Sequence, residues 1–267
     1  MEQRKFGNTG LAVSRLTFGC GAVGGLMTKG DVRDQDRAIG WARDHGINFF
    51  DTAASYGNGV SEENLGRALN GNSDGLVIST KVGLSNNDLS DVYAAITRSL
   101  DASLTRLRLD HVDVFQLHNT LGRTDFRGTL TIDQIMDAVV PAFDKLRDTG
   151  KVRFLGFTAK GEADDVHKLV SCGVFHSAQV FYNLLVPSAG EPIAATYPSD
   201  DYKLLLETAK DHGVGAIGVR VLAGGALSGS TARHPLGMRD VTPIGSETDY
   251  AADVKRGLAF MPLVEAG

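Results

Sequence analysis

The chain has 267 residues, a formal charge of −5 and a mean hydropathy near zero. That length suits one large core, such as a barrel domain of about 250 residues. The negative charge argues against nucleic acid or an anionic membrane surface as the main partner, and no apolar run of about 20 residues or basic-then-apolar leader predicts a membrane span or signal peptide.

Residues 5–15 read as a small hairpin turning at Asn8-Thr9-Gly10, too short and polar for a core element and suited to capping one end of the domain. Residues 16–20 form the first inner strand. It runs into Gly19-Cys20-Gly21-Ala22-Val23-Gly24, which matches the dinucleotide pattern G-x-G-x-x-G. That pattern binds pyrophosphate only where a helix starts at the turn. Here residues 25–30 show no helical period, and the next helix is expected from about Asp34. A glycine-rich loop at a barrel mouth explains the same residues, with Val23, Leu26 and Met27 as candidate walls of a substrate pocket. A Rossmann turn is the alternative.

From there strand and helix alternate. Helix 34–44 places Ala38, Trp41 and Ala42 on one side. Residues 48–50, entered from Gly46, read as a short buried strand ending on Asp51, followed by a loop that presents Tyr56. Ser61 opens a helix with Glu62 and Glu63 in its first turn, where carboxylates suit the dipole. Strand 76–80 ends on Lys81. Helix 90–107 repeats Val92, Ile96, Leu100, Leu104 and Leu107 along one face, and strand 112–117 ends on His118. Thr131-Ile132-Asp133-Gln134 fits a capping box opening a helix, in which Pro141 predicts a kink or a split. Strand 152–157, helix 163–171 and strand 178–182 follow. A long loop, 184–199, holds Pro187, Pro192 and Pro198. Helix 201–212, strand 215–219, a glycine-rich segment 222–229 and a last helix 250–264 complete the chain.

Strict alternation implies a parallel sheet with helices outside. Functional residues at the C-terminal ends of several strands point to a (β/α)8 TIM-barrel type with a hairpin cap; a doubly wound open sheet is the structural alternative. Only about seven strand–helix units are legible. An eight-stranded barrel closes by pairing its last strand with its first, so a gap beside strands 16–20 and 215–219 is expected.

The stretch from Asp51 to Gly66, with Lys81 and His118 behind it, resembles the aldo-keto reductase superfamily, whose catalytic tetrad is Asp, Tyr, Lys and His in this order and spacing. The resemblance runs from Arg4 to about Gly229. It implies a single barrel domain over residues 1–267, and an oxidoreductase moving a hydride between NADPH/NADP (or NADH/NAD) and an aldehyde, ketone, sugar or alcohol. In that chemistry the cofactor supplies the hydride and the protein supplies the acid. Tyrosine is a weak acid, with a reference pKa of about 10, and a nearby lysine lowers it. Tyr56 is then the acid in reduction and the base in oxidation. Lys81 tunes it, Asp51 holds Lys81, and His118 orients the carbonyl.

By the same resemblance Thr158 and Gln179 hydrogen-bond the nicotinamide carboxamide, beside Gly19, Cys20 and Asp51. Where relatives stack an aromatic ring on the nicotinamide, this chain has Val219-Arg220. Arg220 suits the pyrophosphate as a fork of donors, and the backbone of Leu222, Gly224, Gly225 and Leu227 suits an anion nest. Chains of that family continue with a further strand and a segment gripping the cofactor 2′-phosphate. Neither is legible before Gly267, so weak and unselective cofactor binding is expected of residues 1–267.

Two other readings stay open: a cofactor-holding regulatory subunit with little turnover, and a barrel enzyme acting on phosphorylated substrates without nicotinamide. Cys20 and Cys172 form no zinc or CxxC spacing, so a metal-free, reduced cytoplasmic protein is expected. The substrate would be named by loops 21–31, 120–131 and 184–199 and the stretch after Lys81, whose residue types identify no ligand.

Overall fold

The computed structural model describes residues 1–122, 128–246 and 248–265; part of the expected pocket loop, 123–127, lies outside them. Strands β1 (Gln3–Lys5) and β2 (Ala12–Ser14) pair antiparallel as the expected hairpin. The hairpin is less peripheral than its polarity suggested. Phe6, Leu11 and Val13 are buried against Phe49, Val77, Val114 and Ile217, plugging the N-terminal end of the barrel. Gly7 turns there with φ 51, and a Cβ at that position would overlap the backbone of Gly213–Gly215.

The central sheet has seven parallel strands: β3 (Thr17–Gly19), β4 (Phe49–Asp51), β5 (Val77–Val82), β6 (Val112–Leu117), β9 (Val152–Ala159), β10 (Ser177–Phe181) and β11 (Gly215–Val219). Their spatial order is their chain order. Two short strands, β7 (Thr120–Leu121) and β8 (Thr129–Leu130), pair parallel between β6 and β9 in sequence. The sheet is of TIM-barrel type and nearly closed. Among the described residues no ladder joins β11 to β3, which leaves the expected gap. Consecutive parallel order excludes the doubly wound alternative, because no strand order reverses.

The covering helices bury one face each. Helix α1 (Leu26–Lys29) is a single turn opened by Gly25 at φ 78, and α2 (Val32–Asp44) follows. On α2 the inward residues are Gln35, Ile39 and Ala42, whereas Trp41 faces out and stacks on His45 at 3.9 Å. Trp41 lies about 100° around the helix from Ala42, so one cannot face the core with the other. Helices α3 (Val60–Leu69) and α4 (Val92–Leu107) pack together. Glu62, in the first turn as expected, is also buried: it accepts from Thr80 Oγ1 at 2.5 Å and Arg106 Nε at 2.7 Å. This ties both helices to the end of β5.

The helix around Pro141 does not split but changes type ahead of the proline. Helix α5 (Ile132–Gln134) leads through a π-helical stretch (Ile135–Val139) into α6 (Val140–Arg147), so the missing N–H of Pro141 falls in a first turn that needs none. Helices α7 (Ala163–Ser171) and α8 (Leu205–Asp211) flank β10 and β11. The last helix, by contrast, breaks into α9 (Tyr250–Leu258) and α10 (Met261–Glu265), with Pro262 in the first turn of the second piece. No helix of the described residues is long and apolar enough to cross a membrane.

Candidate active site

Asp51 ends β4, and Lys81 lies one residue inside the end of β5. His118 follows β6, and Tyr56 hangs from the loop after β4. Neighbouring parallel strands bring these four to one end of the barrel. Lys81 is fully buried. Its Nζ donates to Asp51 Oδ2 at 2.7 Å, to Thr52 O at 2.6 Å and to Tyr56 OH at 3.2 Å. All three ammonium hydrogens are thus engaged. Tyr56 and His118 meet edge to face, with ring centres 5.7 Å apart, and His118 Nδ1 lies 3.4 Å from Ser55 Oγ.

Burial alone would push the Lys81 ammonium down. The Asp51 carboxylate and the Tyr56 hydroxyl outweigh it and hold Lys81 above the usual lysine value. For Tyr56 the balance differs from the sequence expectation. Burial raises the phenol more than the Lys81 cation lowers it, so its value lies above the ordinary tyrosine value. Tyr56 therefore stays protonated at neutral pH. Burial, then the cations of Lys81 and Lys160, lower His118 to about 4, which keeps its imidazole neutral.

The pocket above these residues has a volume of about 520 Å³. Asp51, Tyr56 and His118 line it, with Gly19, Val23, Thr158, Gln179 and Arg220 from the sequence-predicted set. Thr158 Oγ1 and Gln179 Nε2 are buried there without a hydrogen-bond partner among the described residues. Buried polar atoms are rarely left unpaired, and two of them facing one pocket suit a ligand that carries both a donor and an acceptor. A nicotinamide carboxamide is such a group.

A second cleft, of about 740 Å³, shares Gly19, Gly21, Val23 and Arg220 with the first. Leu222, Gly224 and Gly225 line it as expected. The anion-nest expectation fails in part. The N–H groups of Ala223, Gly225 and Leu227 already donate to Arg220 O, Leu222 O and Leu222 O, at 2.7, 2.8 and 3.2 Å, and Leu227 packs on the core. Arg220 adopts φ 57, with its carbonyl held by Asn183 Nδ2 and Ala223 N–H. Burial and the neighbouring Arg233 lower its guanidinium.

Three predicted site residues stand elsewhere. Met27 is buried in the core and Leu26 packs against it from α1; neither lines the pocket, because the one-turn helix that sequence periodicity missed turns them inward. Cys20 is also buried. Its N–H donates to Asp51 O at 2.8 Å and its carbonyl accepts from Ser61 Oγ at 2.9 Å, so it braces the loop from below.

A segment invisible to motif reading crosses the mouth. Residues 230–245 leave the glycine turn after β11 and reach the loop after β3, where Met238 N–H donates to Val23 O at 3.0 Å. Arg233 fastens this strap through Met238 O at 2.6 Å, Gly224 O at 3.2 Å and the face of Tyr250 at 4.8 Å. Met238 and Ile244 from it line the 520 Å³ pocket. Their signal is only that an irregular, proline-containing stretch of this length needs a surface to lie on.

The barrel and the four converging residues define a class, and comparison with known proteins agrees. The aldo/keto reductase family model matches residues 15–244, and the chain belongs to that family. It is 37% identical to L-galactose dehydrogenase of Arabidopsis thaliana over 165 residues, 59% of this chain and 48% of that protein. It is 37% identical to a probable voltage-gated potassium channel subunit beta of the same plant over 136 residues, 49% of this chain and 41% of that protein. In fold it is similar to an aldo-keto reductase from Bacillus halodurans in its holo form. That match has a TM-score of 0.66 and 25% identity, covering 91% of this chain and 74% of that one. The chain spans about half the length of the curated relatives it matches.

Proposed function

We propose that the chain carries the reaction centre of a nicotinamide-dependent oxidoreductase that interconverts a carbonyl and an alcohol, with Tyr56 as the general acid and base. The observation that carries this reading is the position of Lys81 Nζ, within hydrogen-bonding distance of Asp51, Thr52 O and Tyr56 OH at once. A fully buried lysine needs a partner for its charge, and here the partner leaves one ammonium hydrogen for a phenol that opens into a pocket.

The residues present fit a nicotinamide cofactor. Thr158 and Gln179 would hold its carboxamide, and Arg220, with the glycine-lined cleft beyond, its diphosphate. When bound, the cofactor supplies or accepts the hydride. In reduction Tyr56 OH donates its proton to the carbonyl oxygen, and Lys81 stabilises the phenolate left behind. Neutral His118 hydrogen-bonds the same oxygen and fixes its direction. Asp51 keeps Lys81 charged and in place. In oxidation the phenolate takes the alcohol proton back. The cofactor is NADPH/NADP or NADH/NAD, and the substrate is a small aldehyde, ketone, sugar or alcohol.

The channel-subunit relative favours a second reading, in which the chain holds the cofactor and turns over little, as part of a larger assembly. Turnover separates the two. Incubating the protein with NADPH or NADH and a panel of aldehydes should consume cofactor in proportion to enzyme. Tight cofactor binding with no consumption across the panel would instead support the regulatory subunit.

A further inference from the structure

Behind the Asp51–Lys81 pair stands a side chain that the reaction above does not use. Gln116 points into the barrel from β6 and is fully buried. Its Nε2 donates to Asp51 Oδ1 at 3.1 Å and to Ser79 Oγ at 2.5 Å. Lys81 occupies the other carboxylate oxygen, Oδ2, at 2.7 Å. Asp51 is therefore gripped on both oxygens, by a cation on one and a neutral amide on the other. The reversed amide would set Gln116 Oε1 against Asp51 Oδ1, acceptor facing acceptor, so the carboxylate dictates the orientation.

With both N–H groups used, Gln116 Oε1 is left buried without a partner among the described residues. An unpaired buried carbonyl is unfavourable, so this position is expensive for stability alone. The barrel also makes room for it. Gly156 is the register partner of Gln116 on β9, and a Cβ there would stand 2.9 Å from Gln116 Cγ and would overlap Ser177 Oγ.

We propose that Gln116 is a positioning residue for proton transfer: by holding Asp51 Oδ1 it sets how the Lys81 ammonium is shared between Asp51 and the Tyr56 hydroxyl. This rests on the carbonyl-reduction reading above. Of the three Lys81 contacts, the one to Tyr56 is the longest. Without the amide, the Asp51 charge has one donor fewer and draws Nζ harder, away from the phenol. Both changes disfavour phenolate. The other charged or titratable groups facing Tyr56 are Cys20 from below, His118 beside the ring and Arg220 across the pocket. None of them touches Asp51 Oδ1 by a described hydrogen bond.

Two variants test this. Gln116→Met removes the amide. Gln116→Glu keeps its shape, and while protonated it still offers Asp51 one O–H donor; once ionised it sets a second negative charge against Asp51. The ionisation of Tyr56 is read by ultraviolet difference titration, with Tyr56→Phe subtracted from each form. In Gln116→Met it should move upward by about one pH unit, with reduction kcat down about tenfold and cofactor KM unchanged. Gln116→Glu should match the wild type at low pH and fall away as pH rises, a profile that a merely structural role would not produce. Circular dichroism shows whether each variant folds, and if the Met form does not, the pH profile of the Glu form decides alone. A Tyr56 titration and kcat unmoved in the folded variants would overturn the proposal. Absence of wild-type turnover would instead sink the carbonyl-reduction reading, while the titration still reports on Gln116.

Discussion

Lys81 Nζ stands 3.2 Å from the Tyr56 hydroxyl and 4.7 Å from the centre of its ring. The cation therefore meets the phenol both at its oxygen and at its π system. Either contact favours the ring more as its charge becomes negative. The protein that surrounds the pair works the other way, since burial favours the neutral phenol. The site thus holds Tyr56 protonated at rest and sets a cation beside its oxygen, as the proposed proton transfer requires.

The plainest test of that assignment is Tyr56→Phe. It keeps the ring against His118 and removes only the hydroxyl. Turnover should fall by about 10²–10⁴, the usual contribution of a positioned general acid, while cofactor affinity stays close to wild type. Steady-state kinetics with fluorescence titration of the cofactor measures both. Retention of most activity would remove Tyr56 from the proposed role.

The direction of the Tyr56 shift fixes the pH behaviour. A phenol raised above its ordinary value stays protonated through neutrality, so reduction should hold across the neutral range and fade only in alkali. Oxidation needs the phenolate and should climb over the same alkaline range. Lys81→Met, made together with Asp51→Asn to avoid a lone buried carboxylate, removes the cation and should move the oxidative limb to still higher pH. An unmoved limb would detach Lys81 from Tyr56. His118, held near pH 4 by burial and the cations of Lys81 and Lys160, should add no limb of its own between about pH 5 and 8. An inflection near the ordinary histidine value would show that water reaches its ring.

Much of this was legible in the sequence, and the rest failed for identifiable reasons. Asp51, Lys81 and His118 were readable because each ends an apolar run, and a polar residue there must face the mouth of a parallel barrel. Tyr56 followed only from the resemblance, whose tetrad sets a tyrosine at this spacing from Asp51. Met27 and Leu26 were misread because a four-residue helix between two glycines is too short to show a period. Leu227 was misread because a glycine-rich turn spends several of its N–H groups on its own carbonyls. Arg233, Met238 and Ile244 could not be found by motif at all, since they act from an irregular strap whose path is set by contact with Val23 and Tyr250. Gln116 looked like one more residue of a buried strand, and only the register against Gly156 shows that it points inward.

The two unpartnered atoms in the pocket give a prediction with opposite signs. Thr158→Val should remove a buried hydroxyl that lacks a partner, leaving the free protein as stable as before or more so. The same change should weaken cofactor binding about fivefold, because the carboxamide would lose a hydrogen bond worth about 1 kcal/mol. Thermal melting with and without NADPH, alongside a binding titration, separates the two effects. A variant that loses stability alone and keeps its affinity would place Thr158 in the fold and outside the cofactor site.

The last prediction concerns Arg220 and Arg233, which stand close enough for each to feel the other's charge. Arg233 is bound to two carbonyls and a ring, so its charge is largely committed to holding the strap. Arg220 makes only one described guanidinium hydrogen bond, a long one of 3.4 Å to Thr242 O, and it lines both clefts. We expect it to meet the cofactor diphosphate, where a fork of donors binds anions in pairs. Arg220→Ala should therefore cut affinity for the whole dinucleotide tenfold or more. It should leave the affinity for a nicotinamide fragment without phosphate unchanged, and the remaining dinucleotide binding should depend less on salt. Arg233→Ala should act differently, by freeing the strap. Proteolysis within residues 230–245 should quicken, and affinity should fall with the salt dependence retained. Equal losses and equal salt slopes for the two variants would show that Arg220, too, serves only to hold the strap.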